Sequence, residues 1–355
     1  MASQASVWVP DILGKPFEQS TLSLGVDGLH GPLVATLVRS LPHPLSRLFG
    51  ELRDVDVLYV HGWSDYFFQR DVAEFWTRRG ARFYALDLRR YGRSLREGQT
   101  PGYIDSLDDY DLDIAAALNA MGHSDPDTPQ GETGRGRRLV LLGHSTGGLT
   151  LTLWAARHQG VASALVLNSP WLELQLGTLG RQALAPLVDM RARLDPRGTQ
   201  PAVDVGYYTR AQQEIGSLPT SPERAVWRPD RGFPTAPGWL SAVMEGHRRV
   251  AGGVEVGCPA LVLLSTRSTP PLSWKESMTS TDSVLVVDDI ARAATRIGQV
   301  VTVARIDGAI HDVFLSRPAS RARAFAQLDR WLAAYISRDL RMSPEEGTEK
   351  VLLSG

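Results

Sequence analysis

RLVLLGHSTGG, Arg138 to Gly148, is the stretch whose reading decides the fold. Its first six residues form a short, continuous apolar run, the pattern of a strand buried on both faces. GHSTG, Gly143 to Gly147, follows at once, and a helix-period segment runs on from Gly148 to His158. A serine between two glycines at a strand-to-helix turn is held with its hydroxyl above the sheet edge, because only small flanking residues let the chains approach there. Ser145 is therefore the candidate nucleophile, and a parallel sheet covered by helices is the expected setting.

The same alternation extends outward in both directions. VDVLYV (Val55 to Val60), RFYALDL (Arg82 to Leu88), SALVLN (Ser163 to Asn168), ALVLLS (Ala260 to Ser265) and VVTVARI (Val300 to Ile306) read as buried strands. Phe67 to Arg79, Asp108 to Met121, Asp289 to Ile297 and Ser320 to Ile336 carry apolar residues at helical spacing. The predicted class is α/β, a mostly parallel central sheet with helices on both faces. The alternation breaks between Pro170 and about Gly253, where Pro, Gly and Arg recur without a buried run. The expected division is thus a core of residues 1–168 and 253–338, an inserted cap or lid of 169–252, and a C-terminal tail of 339–355. Residues 126–137 read as an exposed loop. The insert carries Trp171, Trp227, Phe233 and Trp239, aromatic surface suited to a cap over an apolar substrate pocket.

Composition narrows the function. The 355 residues hold 38 Lys and Arg against 39 Asp and Glu, a net charge of −1, which offers no footprint for nucleic acid or an anionic membrane. A single cysteine, Cys258, can form no intrachain disulfide and no thiolate cluster, so a reducing cytoplasm is the default location. Cys258 reads as a small buried hydrophobe. The N-terminus lacks the basic start and apolar run of a signal peptide, and no stretch reaches the ~18 apolar residues of a membrane span. A soluble protein without integral membrane association is expected; its oligomeric state is not encoded in these features.

A serine hydroxyl is a weak nucleophile and needs a base, and the base needs an orienting group. After such an elbow the order is acid, then histidine. His311, in RIDGAIHDVF just beyond the last strand, sits on a loop at the carboxyl edge of the sheet, whereas His247 lies inside the insert and reads as a packing residue. His144, beside the nucleophile, reads as support for the elbow. The acid falls between ALVLLS and His311. Asp282 is preferred over Asp288, the runner-up, because Asp288 or Asp289 reads as the cap of the following helix, and Asp307 as a turn residue. Glu276 is a further, weaker candidate. Acyl transfer also needs two donors for the oxyanion: the backbone N–H of Thr146, and that of Trp63 in HGWSDYF after the first parallel strand. Arg89 and Arg90 read as loop-fixing ion pairs, with a carboxylate or headgroup site as the alternative.

VHGWSDY, ALDLRRYGRS (Ala85 to Ser94), LLGHSTGG and the distal pair TDSVLVVDDI and GAIHDVF, in that order, resemble the α/β-hydrolase superfamily, within it the serine hydrolase branch of monoacylglycerol lipases and lysophospholipases. The resemblance covers the core and not the cap. It implies a Ser145, Asp282, His311 triad with the Trp63 and Thr146 amides as oxyanion hole. The chain departs from the branch at Thr146, where Met is common, at the bulky Trp63, and in the long segment between ALVLLS and Asp282. The expected activity is hydrolysis of carboxylic esters with an apolar acyl or aryl part through an acyl-enzyme, requiring no metal or organic cofactor, with a small-molecule ester as partner. Amide, lactone or thioester hydrolysis on the same triad and a non-catalytic ligand-binding relative are the alternatives; a serine at the elbow argues against a dehalogenase.

Overall fold

The structure is a computed structural model that describes residues 7–28, 31–123, 136–174, 188, 190–198 and 205–337. Residues 126–135 of the expected loop 126–137, the tail 339–355 and residues 175–187, 189 and 199–204 of the insert lie outside the described residues. Among the described residues nine strands form one sheet, β1 (Val9–Pro10), β2 (Glu18–Asp27), β3 (Gly31–Ser40), β4 (Val55–Val60), β5 (Arg82–Asp87), β6 (Arg138–His144), β7 (Ala162–Asn168), β8 (Ala260–Ser265) and β9 (Val301–Ile306), in the order β1-β2-β3-β5-β4-β6-β7-β8-β9. Strands β4 to β9 pair in parallel, and β1 to β3 join through antiparallel pairings to β5.

Side chains alternate along each central strand, so each strand feeds two cores. Leu58, Val60, Leu139, Leu141, Leu165 and Leu167 enter one core with helices α3 (Asp111–Met121) and α4 (Thr146–Arg157). Val57, Tyr59, Val140, Leu142, Ala164 and Val166 enter the other with α2 (Arg70–Arg78), which follows the short α1 (Pro44–Phe49) and β4, and with the helix Pro318–Tyr335. Burial on both faces explains why these runs carry no polar alternation.

The antiparallel strands β2 and β3 correct the reading of the N-terminal region, in which no strand before Val55 was expected. Only Ser20, Leu22 and Leu24 of β2 face inward while the residues between them are exposed or partly so, and a half-solvated strand gives a weaker apolar signal than a run. The expected helix from Phe67 starts instead at Arg70. The Phe67 N–H is taken by Asp87 Oδ1 at 2.9 Å, which ties the preceding turn to the end of β5.

Between β7 and β8, the described residues hold a helical stretch at 190–194, helices α5 (Tyr207–Glu214), α6 (Arg224–Trp227) and α7 (Pro237–Ala251), and no strand. Helix α7 lies on the core: Gly246 comes so close to Leu107, Leu149 and Leu153 that a Cβ there would meet Leu107 at 2.8 Å. After β8 come α8 (Val287–Ala294) and, after β9, α9 (Pro318–Tyr335).

Candidate active site at the carboxyl edge of the sheet

The strand order reverses around β4, which is flanked by β5 and β6, so the turns leaving β4 and β6 meet at the sheet's carboxyl edge. Ser145, between β6 and α4, has φ 51° and ψ −118°, a region that L residues avoid. Neighbouring backbone enforces the turn. A Cβ on Gly147 would collide with the Val60 and His61 carbonyls, and one on Gly148 would lie 2.7 Å from Pro170 Cβ. The Ser145 N–H donates to Asn168 O at 3.1 Å, and its carbonyl accepts from Gly148, Leu149 and Trp171. Thr146 is the first residue of α4, one of the positions whose N–H has no acceptor inside a helix.

The turn after β4 comes within reach of the serine: a Cβ on Gly62 would sit 3.0 Å from Ser145 Cβ. His61 sets the orientation of that turn. Its Nε2 accepts from Leu88 N at 3.1 Å, so Nδ1 carries the proton and donates to Gly62 O at 2.7 Å. Burial pushes the His61 pKa below its usual value, which keeps the ring in this neutral form. Because a trans peptide points its C=O and N–H to opposite sides, holding the Gly62 carbonyl also fixes the direction of the Trp63 N–H.

His311 and Asp282 are brought together. The buried imidazole donates from Nδ1 to Asp282 Oδ2 at 2.9 Å, and Asp282 Oδ1 accepts from Val284 N and Leu285 N at 2.8 and 2.7 Å. The long segment before Asp282 is a closed excursion: Ser268 and Asp282 form a parallel bridge, with Asp282 N donating to Arg267 O and Thr269 N to Asp282 O. In space Asp282 therefore lies a few residues from the end of β8, and the intervening chain loops out and returns. Asp288 pairs with Arg305 at 2.7 Å, and Asp289 with Arg292. Neither caps α8, contrary to the expectation; its N-cap is Val286, without a side-chain hydrogen bond, and Val287 N donates to Ser268 Oγ instead.

His144 does support the elbow. Its Nδ1 bonds Asn168 O at 3.0 Å, its ring lies 4.9 Å from that of His311, and burial pushes its pKa down. His247 holds Trp171 O through Nε2 at 2.8 Å, a packing role as expected. Arg89 pairs with Asp113 and Arg90 with Asp27, both as loop fixtures. Burial pushes the Cys258 thiol up to about 12.

Three of the four insert aromatics, Trp171, Phe233 and Trp239, lie together with Trp63. The Trp63 and Trp239 ring centroids lie 3.6 Å apart with planes tilted by 35°, Trp239 lies 6.1 Å from Trp171, and Phe233 meets Trp63 edge-on at 5.9 Å. Trp227 stands outside this group, against Tyr66 at 5.3 Å and under the Arg93 guanidinium. Sequence reasoning missed three polar groups. Buried Arg93 joins Asp11 to Asp87; Asp312 gathers Asn168 Nδ2 and Gln69 Nε2 at 2.7 and 3.1 Å; Asp65 binds Arg228 of the insert at 3.0 Å. The charged residues of HGWSDY and RRYGRS were the available signal, but their partners lie far away in the chain.

The sequence profile of the hydrolase family described as serine aminopeptidase, S33, matches residues 53–265, from the start of β4 to the end of β8. The chain belongs to this family. As an S33-family chain it is 26% identical, over 182 residues, to a monoacylglycerol lipase of Mycolicibacterium smegmatis; the match covers 48% of this chain and 60% of that protein's length. Its structure is similar to the monoacylglycerol lipase of Paleococcus ferrophilus, with TM-score 0.59 and 18% identity over 84% of this chain and 99% of the other. A soluble variant of the monoglyceride lipase of Saccharomyces cerevisiae, solved with a substrate analog, superposes with TM-score 0.60 at 14% identity, covering 94% and 97%. The fold is that of the α/β-hydrolases. Among the described residues no group of three or more His, Cys, Asp or Glu could hold a metal ion, and no helix is long and apolar enough to cross a membrane.

Proposed function

We propose that this S33-family chain hydrolyses carboxylic esters through an acyl-enzyme on Ser145. His311 takes the serine proton and returns it to the leaving alcohol, Asp282 holds the imidazole in the tautomer that can accept at Nε2, and water repeats the sequence to release the acid. The Trp63 and Thr146 amides stabilise the oxyanion, each such donor being worth roughly 2.7–4 kcal/mol in the transition state. Residues 169–252 act as a cap, and Trp171, Trp239 and Phe233 together with Trp63 receive an apolar acyl or aryl part. The single Cys258 suits a reducing compartment such as the cytoplasm.

One observation carries the reading: His311 is hydrogen-bonded to a buried carboxylate at the same sheet edge where Ser145 occupies a strained elbow. The named activities of the monoacylglycerol lipase relatives support an ester over other acyl groups. The test is release of p-nitrophenol from p-nitrophenyl esters of rising acyl length by wild type and Ser145→Ala. Activity lost in the variant alone supports the serine esterase, and the preferred length measures the acyl site. Because the family description names an aminopeptidase, p-nitroanilides form the second arm; faster anilide than ester turnover would overturn the ester assignment.

A further inference from the structure

We propose that Tyr208, on the segment inserted between β7 and β8, is a positioning residue for His311, so that the proton relay is complete only with helix α5 docked. The inference rests on the triad reading above.

Tyr208 lies in the first turn of α5. Its hydroxyl accepts from the N–H of Asp312, the residue directly after His311, at 3.1 Å. Its ring meets the His311 imidazole edge to face, centroids 5.4 Å apart and planes at 84°. The imidazole is thus held by Asp282 at Nδ1, by the His144 ring and by Tyr208. The first two come from loops and strand ends of the sheet; only Tyr208 comes from the insert. Asp312 N–H sits at the start of the turn that continues to Leu315, where Asp312 Oδ1 also accepts from Phe314 N at 3.0 Å. The phenol therefore fixes one end of the peptide next to the base, and releasing it frees the His311 backbone to drift.

Helix α5 is itself anchored by buried polar contacts. Gln212, one turn beyond Tyr208 and fully buried, accepts from Arg228 Nη2, and Arg228 Nε donates to Asp65 two residues past Trp63. The Arg228 guanidinium also lies 5.7 Å from the Tyr208 ring. On the same helix Arg210 covers Trp274, in the excursion that returns to Asp282, at 4.1 Å. One helix thus touches the segments that carry the acid and the base, and through Arg228 it is linked to the segment of the oxyanion turn. A buried ion pair contributes little net stability against an apolar replacement, but it holds geometry, and geometry is what a base at hydrogen-bond reach of a serine requires.

Tyr208→Phe keeps the ring and removes the hydroxyl. With a p-nitrophenyl ester, kcat is expected to fall about three- to tenfold, the size of one neutral hydrogen bond, with KM unchanged, and fluorophosphonate labelling of Ser145 to slow by the same factor. In a His311→Ala background, Tyr208→Phe is expected to change the residual labelling rate no further, since its effect passes through the imidazole. A wild-type kcat in Tyr208→Phe, a change in KM alone, or the same loss with and without His311 would overturn the proposal. Wild type that neither turns over esters nor labels at Ser145 would instead remove the triad reading, and this inference with it.

Discussion

Two aspartates buried near the ends of the same strand have opposite surroundings. Asp56, at the start of β4, is fully enclosed and binds Arg82 and Arg137 at 2.6 Å each and His123 at 2.9 Å. Burial works to raise its pKa, but the hydrogen bonds and charges of these partners outweigh it and bring the carboxyl to about 2. Asp65, five residues past the end of β4, faces Arg228 and the Tyr66 backbone N–H, while the Asp312 charge opposes its ionisation. There burial prevails, and the carboxyl rises to about 6. The amino edge of the sheet is overcompensated and built for stability. The carboxyl edge leaves a charge undercompensated between the core and the inserted helices, beside the residues proposed to do chemistry.

The largest expected effects break this comparison along the line of function. Ser145→Ala should lower kcat by roughly 10⁶-fold and Asp282→Asn by about 10⁴-fold, both with little change in urea unfolding, while Asp288→Asn stays near wild type. Equal losses from the two asparagine variants would remove Asp282 from its role. At the opposite edge, Asp56→Asn should leave kcat/KM intact and cost about 3–5 kcal/mol in urea unfolding, because Arg82, Arg137 and His123 lose the charge they surround. A pKa lowered from 3.8 to about 2 means stability that is present above pH 3.8 and lost as the pH falls through 2. That contribution, about 2 kcal/mol, should vanish from the acid limb of an Asp56→Asn stability profile.

For Asp65 the sign reverses. A carboxyl raised from 3.8 to about 6 binds its proton more tightly in the folded state, so stability declines as the pH rises from about 4 to about 6. Asp65→Asn should flatten that decline, read from thermal melts across the window; an unaltered slope would place the titration elsewhere. The smallest effects concern the aromatic wall. Trp171→Ala or Trp239→Ala should change relative kcat/KM across acyl lengths by a few-fold per methylene, in line with ~0.8 kcal/mol per buried CH₂. Trp227→Ala, whose ring packs on Tyr66, should lower all lengths alike.

Much of the site was legible because its parts obey local rules. Continuous apolar runs name strands buried on two faces, and Val55–Val60 and Ala260–Ser265 coincide with the expected strands to the residue. Strand β2 escaped because one of its faces is solvated, which thins its apolar signal, whereas β3 carries an apolar run, Leu33 to Val38, that the same rule names. Asp282 stood among rivals because sixteen residues of apparent loop, TRSTPPLSWKESMTST, separate it from the strand; the Ser268 bridge that cancels this distance is a tertiary contact.

The sequence alone determined the parallel sheet and the glycine-flanked elbow at Ser145, because buried strands and tight turns select residues by sterics and periodicity over a few positions. Tertiary structure alone decided which carboxylate meets His311, how Arg228 reaches Asp65 across 163 residues, and that Tyr208 touches the loop of the base. Such contacts join loops far apart in the chain, and no local pattern records them, since their closure is fixed only when the whole sheet and its inserted helices have packed.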